Sequence, residues 1–416
     1  MDIREKRLNL VQYYLLVGTG ISLLAPMIIN NIFVVLLLLV SFFKLVRHEY
    51  KINILAGLFG TLFLLALISL LYSCDVPNGF KKLEKWLSFI IFPIVFGTMN
   101  LTKKLFRNLL LSFAFATILM VLVALIIATY KSCVNGSILI FNKENLVIEN
   151  FFRYHRLSQN INFHATYLSI YLAFSLFVLI YYFFWSRDLL PLKRNLKFFI
   201  ILFGILVLVL LDSFAIVFAF FSGLFLLMFF YWDIGKKKKY LLLVVFGICV
   251  GFVFFNKVRG KVDQSTFQFS YSDSPTSTRW NSLNVRLAKW QCALEVYMDN
   301  APFGVGTGCN QSKLRQKYTE KGFILALNEN YTSHNMYLRF LTENGIVSFF
   351  VFLTLLSYGF YRAYRRKKYF LFVLLWLLAI SSITEEVLSI NKGIVFFAFY
   401  ILLANTYLNE NNGKTR

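Results

Sequence analysis

Histidine side chains lie at the ends of long apolar runs in this sequence. The chain has only four histidines, and three of them, His155, His164 and His334, adjoin such runs. His334 is followed by NMYLRFLTENGIVSFFVFL, in which polar residues give way to apolar ones. Because a neutral imidazole accepts a proton near neutral pH, His334 is a candidate general base.

Arginines accompany these histidines. Arg153 and Arg156 lie close to the first two, and Arg279 and Arg286 lie upstream of the third. A guanidinium keeps its charge and presents a planar fork that matches phosphate oxygens in pairs. Where a loop meets an apolar run, such a side chain must reach outward or point into a wet cavity. The combination predicts a site that binds a phosphate-bearing lipid and performs an acid–base step.

Other polar residues near His334 have structural explanations. Arg339 and Glu343 are four residues apart on a predicted helix, where opposite charges neutralise each other. Gly345 lies on nearly the same helical face as His334, so another backbone or a substrate can pass close to that face. Solvation explains a further set of loop cations: Lys143, Lys313, Arg315, Lys317 and Lys321. The carboxylates and histidines lack the Asp-x-Asp or His-x-x-x-His spacing of a metal site, so we expect no metal.

Composition places these residues in a membrane protein. The 416-residue chain is 58% hydrophobic and only 15% charged, and its mean hydropathy is +0.64. A soluble domain of this size could not bury so much apolar surface. Apolar runs of about 20 residues recur along the chain, as they do in transmembrane helices. We therefore predict an all-α polytopic membrane protein.

Apolar windows between polar breaks predict about twelve transmembrane helices. They lie near residues 10–29, 31–43, 52–72, 86–99, 108–129, 164–186, 196–211, 213–232, 240–256, 334–361, 369–384 and 389–407. Two pairs are joined by very short links, around Asn30 and around Asp212. The predicted units are therefore helices 1–9 (residues 1–256), a large loop (257–333), and helices 10–12 with the C-terminal tail (334–416).

The basic residues predict the orientation in the membrane. With the N-terminus inside, the inner segments hold most lysines and arginines, including Lys236 to Lys239 and Arg362 to Lys368. The positive-inside rule then makes both termini cytoplasmic and the large loop external. The same rule explains the net charge of +23. We thus expect contacts with membrane lipids and no nucleic acid, which would need a compact basic domain.

The large loop between predicted helices 9 and 10 should be partly helical. Its amphipathic segment RLAKWQCALEVYMD, from Arg286 to Asp299, predicts a helix at the outer mouth. Cys292 and Cys309 share this loop and could form a disulfide in an oxidising space. Two free thiols explain the sequence at least as well.

With these features the whole chain resembles the bacterial O-antigen ligase and O-antigen polymerase superfamily. Members have about twelve spans, cytoplasmic termini and a large periplasmic loop late in the chain. Three motifs carry the resemblance. They are His334, ten residues and Gly345; Arg153-Tyr-His-Arg-Leu157 with the overlapping RLSQNINFHATYLSIYL; and NVRLAKWQCALEVYMDNAPFGVGTG, Asn284 to Gly308.

The motifs also depart from the family pattern. The link between the seventh and eighth predicted spans reads DSFAIV, without the basic residue that often follows its serine in members. Where members have His-Pro-Asn, this chain has His164-Ala-Thr. Arg153 and Arg156 both fit the first arginine motif, and we favour Arg156.

The resemblance implies a glycan transferase at the periplasmic face of the bacterial inner membrane. Its donor would be a glycan on undecaprenyl diphosphate, and its acceptor lipid A core or another glycan. His334 would be the catalytic base, and neither a metal nor a cofactor is implied. The implied substrate-binding residues are Arg156, Arg286, Arg153, Arg279, His164 and one of Lys82 or Lys85.

Several functions share this donor chemistry. Ligation of O-antigen to lipid A core is favoured by the spacing from His334 to Gly345, and a polysaccharide polymerase or a protein O-oligosaccharyltransferase are alternatives. A transporter of the same lipid belongs to a different class. It would show internal repeats and charged residues near the middle of the membrane, and the sequence shows no such repeat and almost no such charges.

Overall fold

The computed structural model describes residues 3–46, 50, 53–99, 101–142, 147–186, 190–231, 235, 270–277 and 280–411. The first described helices are α1 (Ile3–Ser22), α2 (Met27–Leu45), α3 (Ile54–Ile68), α4 (Val76–Trp86), α5 (Ser88–Gly97), α6 (Lys103–Asn135), α7 (Tyr154–Gln159), α8 (Ala165–Ile180), α9 (Arg194–Leu210) and α10 (Phe214–Tyr231). They are followed by α11 (Ser282–Met298), α12 (Asn310–Lys321), α13 (Ile324–Asn328), α14 (Met336–Arg365), α15 (Tyr369–Thr384) and α16 (Asn391–Asn411).

Three shorter elements extend or join these helices. A 3₁₀ turn, Ser69–Tyr72, continues α3, and a π-helical turn, Tyr181–Trp185, continues α8. A short antiparallel hairpin of β1 (Leu139–Asn142) and β2 (Val147–Asn150) follows α6, with Leu139 opposite Asn150.

Six described helical segments are long and apolar enough to cross a membrane. They are Met27–Leu45, Ile54–Tyr72, Lys103–Asn135, Ala165–Trp185, Phe214–Tyr231 and Met336–Arg365. Large apolar side chains are exposed on them, such as Phe43 on α2 and Leu119 on α6, as expected for helices in contact with lipid. The prediction of a helical membrane protein is confirmed, and the number of twelve spans stays a prediction.

The first link between helices lies earlier than predicted. We expected it around Asn30, but α1 ends at Ser22 and α2 follows directly after Pro26. Proline lacks an amide donor and fits the beginning of a helix, where that donor would have no partner. Asn30 is buried in α2, and its amide donates to the Thr19 carbonyl at 3.0 Å and to the Ser22 hydroxyl at 2.9 Å. Asn30 therefore provides hydrogen-bond donors to the C-terminal end of α1 and does not lie in a turn.

The structure also bears on the other predicted helix boundaries. The short link at Asp212 is confirmed, because α9 ends at Leu210 and α10 begins at Phe214. The predicted fourth span at 86–99 is divided at Leu87 between the end of α4 and α5. The predicted span at 240–256 and the loop residues 257–269 lie outside the described residues.

Helices α8 and α16 occupy the centre of the bundle. Every residue of α8 from Ala165 to Leu179 is buried, and α8 packs on α6, α9, α10 and α15. Tyr171 of α8 stacks on Phe396 of α16, with ring centroids 4.7 Å apart. A helix that is apolar on every side is expected to lie inside in this way.

Helices α11 to α13 form a layer with an apolar core of its own. Ala288, Cys292, Tyr318 and Phe323 are fully buried in it, and α11 packs on α14. The helix predicted between Arg286 and Asp299 is confirmed as the larger part of α11.

The disulfide bond is not the pair that the loop sequence suggested. Cys309 is bonded to Cys74, 235 residues earlier in the chain. Cys292 is a buried free thiol, held in the apolar core of the α11–α13 layer. Only the folded chain brings the segment after α3 beside Cys309, so proximity in sequence was a wrong guide.

Candidate functional site

A glycine-rich segment crosses α14 in the part of the helix that follows His334. We call residues 302–308, Pro-Phe-Gly-Val-Gly-Thr-Gly, the crossing segment. It meets α14 at Gly345, whose φ of +80° and ψ of −176° divide α14 into two helical parts. A Cβ atom at Gly345 would lie 2.7 Å from the backbone of Phe303. The predicted passage of another backbone close to Gly345 is confirmed.

The crossing segment supplies hydrogen bonds that the break in α14 removes. The Val305 amide donates to the Thr342 carbonyl at 2.8 Å, and the Gly306 amide donates to the next carbonyl of α14 at 2.9 Å. In return, the Ile346 amide donates to the Pro302 carbonyl at 3.0 Å. Because unpaired backbone groups are costly when buried, these bonds make the break and the crossing depend on each other.

Buried side chains attach the same segment to the end of α3. The Asn344 amide donates to Ser69 Oγ at 2.9 Å and to Thr307 Oγ1 at 2.8 Å. The two hydroxyl oxygens lie 2.6 Å apart. The Cys74–Cys309 disulfide lies next to this contact in both chain segments. The first part of α14, which follows His334, is thus fixed in position by the crossing segment and the end of α3.

His334 lies just before α14, where the chain turns into the helix. Asn335 caps the helix, since its Oδ1 accepts from the Leu338 amide at 3.1 Å. The φ of His334 is +47°, a left-handed conformation that residues with a side chain adopt rarely and only where their surroundings enforce it. Its imidazole is 35% exposed, and Nδ1 lies 3.3 Å from Oε2 of Glu385.

The Glu385 carboxylate determines what this imidazole can do. An acceptor beside Nδ1 favours the tautomer that carries its proton on Nδ1. Nε2 then keeps a lone pair that can accept a proton. A partly exposed imidazole held by a carboxylate is the arrangement of a general base and its positioning group.

A buried ion network lies on the α14 side of this pair. Arg339 donates from Nε to Glu343 at 2.9 Å and from Nη1 to Glu386. Lys82 of α4 lies 2.8 Å from the other oxygen of Glu343. Two cations therefore compensate two carboxylates, which a buried site requires. The predicted Arg339–Glu343 pair is confirmed, and Lys82 is engaged by the same carboxylate.

The network also holds the chain on both sides of the His334–Glu385 pair. Ser333 precedes the histidine and donates to Glu386, the residue after Glu385, at 2.7 Å. Burial by itself would raise the pKa of the Glu386 carboxyl, but Arg339 and the Ser333 hydrogen bond outweigh it and lower that pKa. Glu386 is therefore an ionised anchor beside the candidate base.

His164 faces the same carboxylate from the beginning of α8. Its Nδ1 accepts from the Thr166 amide at 3.3 Å, which leaves the proton of the neutral ring on Nε2. Desolvation lowers the pKa of His164; the charge of Glu385 opposes this effect and that of His334 adds to it. His164 is therefore a neutral donor within electrostatic reach of the His334–Glu385 pair.

Helix α11 brings two cations to this group. Arg286 is half-buried and Lys289 is 4% exposed, and residues three apart on a helix share a face. Desolvation and the charge of Glu385 raise the pKa of Tyr154, whereas Arg286 lowers it. Glu385 and Arg286 thus both act on Tyr154, so α7, α11 and the link after α15 converge. The structure brings His334, His164 and Arg286 together around Glu385.

The remaining predicted substrate-binding residues lie on or next to α7, on α4, or outside the described residues. Arg153 is exposed and lies 3.1 Å from Asp212 at the α9–α10 link. Arg156 is half-buried on α7, and Lys85 is exposed on α4. Arg279 lies outside the described residues.

A cavity of about 440 Å³ lies at the far end of α14 and has a different character. Lysines and aromatic rings line it, including Lys367, Lys368, Tyr231 and Tyr407. Its described lining residues include no histidine and no carboxylate. The 30 residues of α14 separate it from His334, a distance of roughly 40 Å along a helix. Because it lies far from the His334–Glu385 pair, it is not part of the candidate site.

Two residues of the site were not singled out from the sequence. Glu385 was visible as a carboxylate at the end of a predicted span, but its partner is 51 residues away. Lys289 lies within the predicted amphipathic helix, three residues after Arg286. Helical periodicity could have placed it on the face of Arg286, whereas nothing in the sequence indicated its burial.

Comparison with known families gives a match to part of the chain. A family model described as O-antigen ligase matches residues 198–353, which include most of α9, all of α10, the α11–α13 layer, His334 and Gly345. No curated protein matches the chain. The predicted resemblance to the O-antigen ligase-like superfamily is thereby confirmed, in the part of the chain that carries Arg286 and His334.

Proposed function

We propose that this membrane protein transfers a glycan from undecaprenyl diphosphate to an acceptor hydroxyl. The family match supports an O-antigen ligase or polymerase type of function in general. The observation that carries the proposal is the His334–Glu385 pair, 3.3 Å apart, with the cationic Arg286 acting in the same group. This arrangement combines a base for a hydroxyl with positive charge for a diphosphate.

The chemical step follows from these roles. The acceptor oxygen attacks the anomeric carbon, and its proton passes to Nε2 of His334. The bond between that carbon and the diphosphate oxygen breaks, and undecaprenyl diphosphate leaves with both electrons. Attack opposite the leaving group inverts the anomeric centre. No metal or cofactor has a role in this proposal.

Cations stabilise the charge that develops on the leaving diphosphate. Arg286 and Arg156 are the proposed clamp, since a guanidinium pairs with two phosphate oxygens at once. Arg153, Arg279 and His164 are proposed as further substrate contacts. Of the two predicted lysines, exposed Lys85 fits the role better, because Lys82 is already paired with Glu343.

The proposed location is the periplasmic face of the bacterial inner membrane. The twelve predicted spans, with cytoplasmic termini indicated by the distribution of basic residues, place His334 and the 257–333 loop outside. The Cys74–Cys309 disulfide supports this orientation, because such bonds persist in oxidising compartments. Both of its segments lie on the predicted outer side.

Ligation of O-antigen to lipid A core is the specific reaction we favour, because the spacing from His334 to Gly345 resembles the ligase pattern. Polymerisation of lipid-linked glycans and transfer to protein hydroxyls use the same donor and are the alternatives. A transporter of the same lipid remains a weaker one. Its substrate would need no base, and the His334–Glu385 pair would have no role.

The test is complementation of bacterial strains that lack either their O-antigen ligase or their polymerase. The strain in which surface-glycan bands reappear identifies the reaction. The His334→Ala variant should insert in the membrane normally but restore no bands. The Arg286→Lys variant should also fail, because a point charge does not replace a bidentate fork. Lys313→Ala is the matched control and should behave as the native protein. Full activity of His334→Ala would exclude the base assignment.

A further inference from the structure

We propose that Lys289 is an anion-binding residue of the site, and that with Arg286 it contacts the diphosphate of the lipid-linked donor. This inference rests on the proposed function and adds to it a residue that neither the sequence motifs nor the family match assigns. It is carried by the burial of Lys289, by the absence of a carboxylate partner within the described part of the chain, and by its position beside the candidate base.

Lys289 is a buried cation that no opposite charge contacts among the described residues. Its side chain is 4% exposed, and its Nζ lies 4.5 Å from the centre of the Tyr331 ring. No ion pair joins it to any carboxylate in the described part of the chain. A buried ammonium is costly unless it is paired, and one cation–π contact compensates only part of this cost.

The nearby carboxylates are engaged elsewhere. Glu385 lies against His334, and Glu386 accepts from Arg339 and Ser333. Lys289 differs in this from two lysines of α12, since Lys317 pairs with Asp299 and Lys321 with Glu295. The position therefore suits an anion supplied by a ligand.

The location of Lys289 fits the leaving group of the proposed reaction. The Tyr331 ring under its ammonium lies 6.1 Å from the imidazole of His334, measured between ring centroids. Arg286 lies one turn earlier on the same face of α11. An anion bound between Arg286 and Lys289 thus lies close to His334 and leaves its imidazole free to accept a proton.

The charge state of Lys289 agrees with this role. Burial and the neighbouring Arg286 lower its pKa to about 8, whereas Glu385 and Glu386 oppose the shift. His334 and Tyr331 face the same region as these groups. At neutral pH the ammonium form is still the major one, and a bound diphosphate would favour it further. Above about pH 8 the empty site loses this charge, so diphosphate binding should weaken there.

The experiment uses the full-length protein in lipid nanodiscs. Binding of undecaprenyl diphosphate and glycan transfer are measured side by side for native protein, Lys289→Met, Lys289→Arg and Lys313→Met. We expect Lys289→Met to weaken binding by roughly 10–100-fold, the range of a charge-assisted hydrogen bond. Lys289→Arg should retain binding and remove its decline above pH 8, and Lys313→Met should match the native protein.

The outcomes separate the two proposals. If the native protein transfers glycan and Lys289→Met binds the diphosphate as tightly as the native protein, the role of Lys289 is disproved. The proposed function is then unaffected. Native protein that neither transfers glycan nor binds the lipid diphosphate would overturn the proposed function itself. If Lys289→Met does not fold, the native pH dependence decides, because binding that is unchanged from pH 7 to 9 contradicts the inference.

Discussion

The Nδ1 atom of His334 lies 3.3 Å from Oε2 of Glu385, although the two residues are 51 positions apart. His334 precedes α14 and Glu385 follows α15, so the helical hairpin of α14 and α15 brings Glu385 back beside His334. Ser333 and Glu386, their immediate neighbours, are hydrogen-bonded at 2.7 Å. Two parallel contacts thus set the distance and the orientation of the imidazole and its carboxylate.

Glu385→Gln should reduce glycan transfer at least about tenfold, since general-base catalysis contributes roughly 10²–10⁴-fold. The amide can accept a hydrogen bond but cannot stabilise a protonated imidazole. The kcat of transfer should therefore fall while the KM for the donor stays near the native value, a split that a purely structural defect would not produce. Glu320→Gln, on exposed α12 surface, is the control. An unchanged kcat in Glu385→Gln would remove the positioning role.

Gly345→Ala should destabilise the fold. The backbone at φ +80° and ψ −176° is a conformation for glycine, which costs other residues roughly 1–3 kcal/mol. The added methyl would also meet the Phe303 backbone at 2.7 Å. Thermal unfolding in detergent should show a lower midpoint. Gly57→Ala, on α3 with open space around it, should leave the midpoint nearly unchanged, and equal midpoints for both variants would contradict this account of the crossing.

Arg339→Met should destabilise the protein by about 3–5 kcal/mol, because it leaves buried carboxylates uncompensated. Glu386 and Glu343 are 5% and 3% exposed and lose the same partner. The combined variant Arg339→Met with Glu386→Gln should recover part of the loss, which is measurable as a higher unfolding midpoint. Arg315→Met is the control on the exposed surface of α12. A single variant as stable as native protein would mean that the network is not needed.

Cysteine labelling tests the disulfide and the orientation together. Cys133, exposed at the end of α6, should react with a membrane-impermeant maleimide applied from the periplasmic side. Exposed Cys74 should react only after reduction, and the buried Cys309 and Cys292 only after unfolding. Cys74→Ser should destabilise the protein by about 2–5 kcal/mol, to the same extent as Cys309→Ser. Labelling of Cys133 only from the cytoplasmic side would reverse the proposed topology.

Much of the fold and part of the site could be predicted because they depend on local pattern. Apolar runs identify membrane helices, and the i, i+4 spacing identified the Arg339–Glu343 pair. Gly345 was predicted as a point of close approach, but the sequence could not name Pro302–Gly308 as the segment that passes there. The first helix link was placed wrongly at Asn30. In the sequence alone an asparagine between apolar runs suggests a turn, whereas in the fold its buried amide donates hydrogen bonds to the end of α1.

The sequence by itself determined that this is a helical membrane protein with histidine and arginine at the ends of its spans, because length, hydropathy and charge are properties of the chain. Only the tertiary structure decided which of these groups meet. It selected Glu385 as the partner of His334, Cys74 as the partner of Cys309, and Lys82 as a partner of Glu343, and it buried Lys289. Such pairings depend on how helices far apart in sequence pack side by side, and no local spacing records that packing.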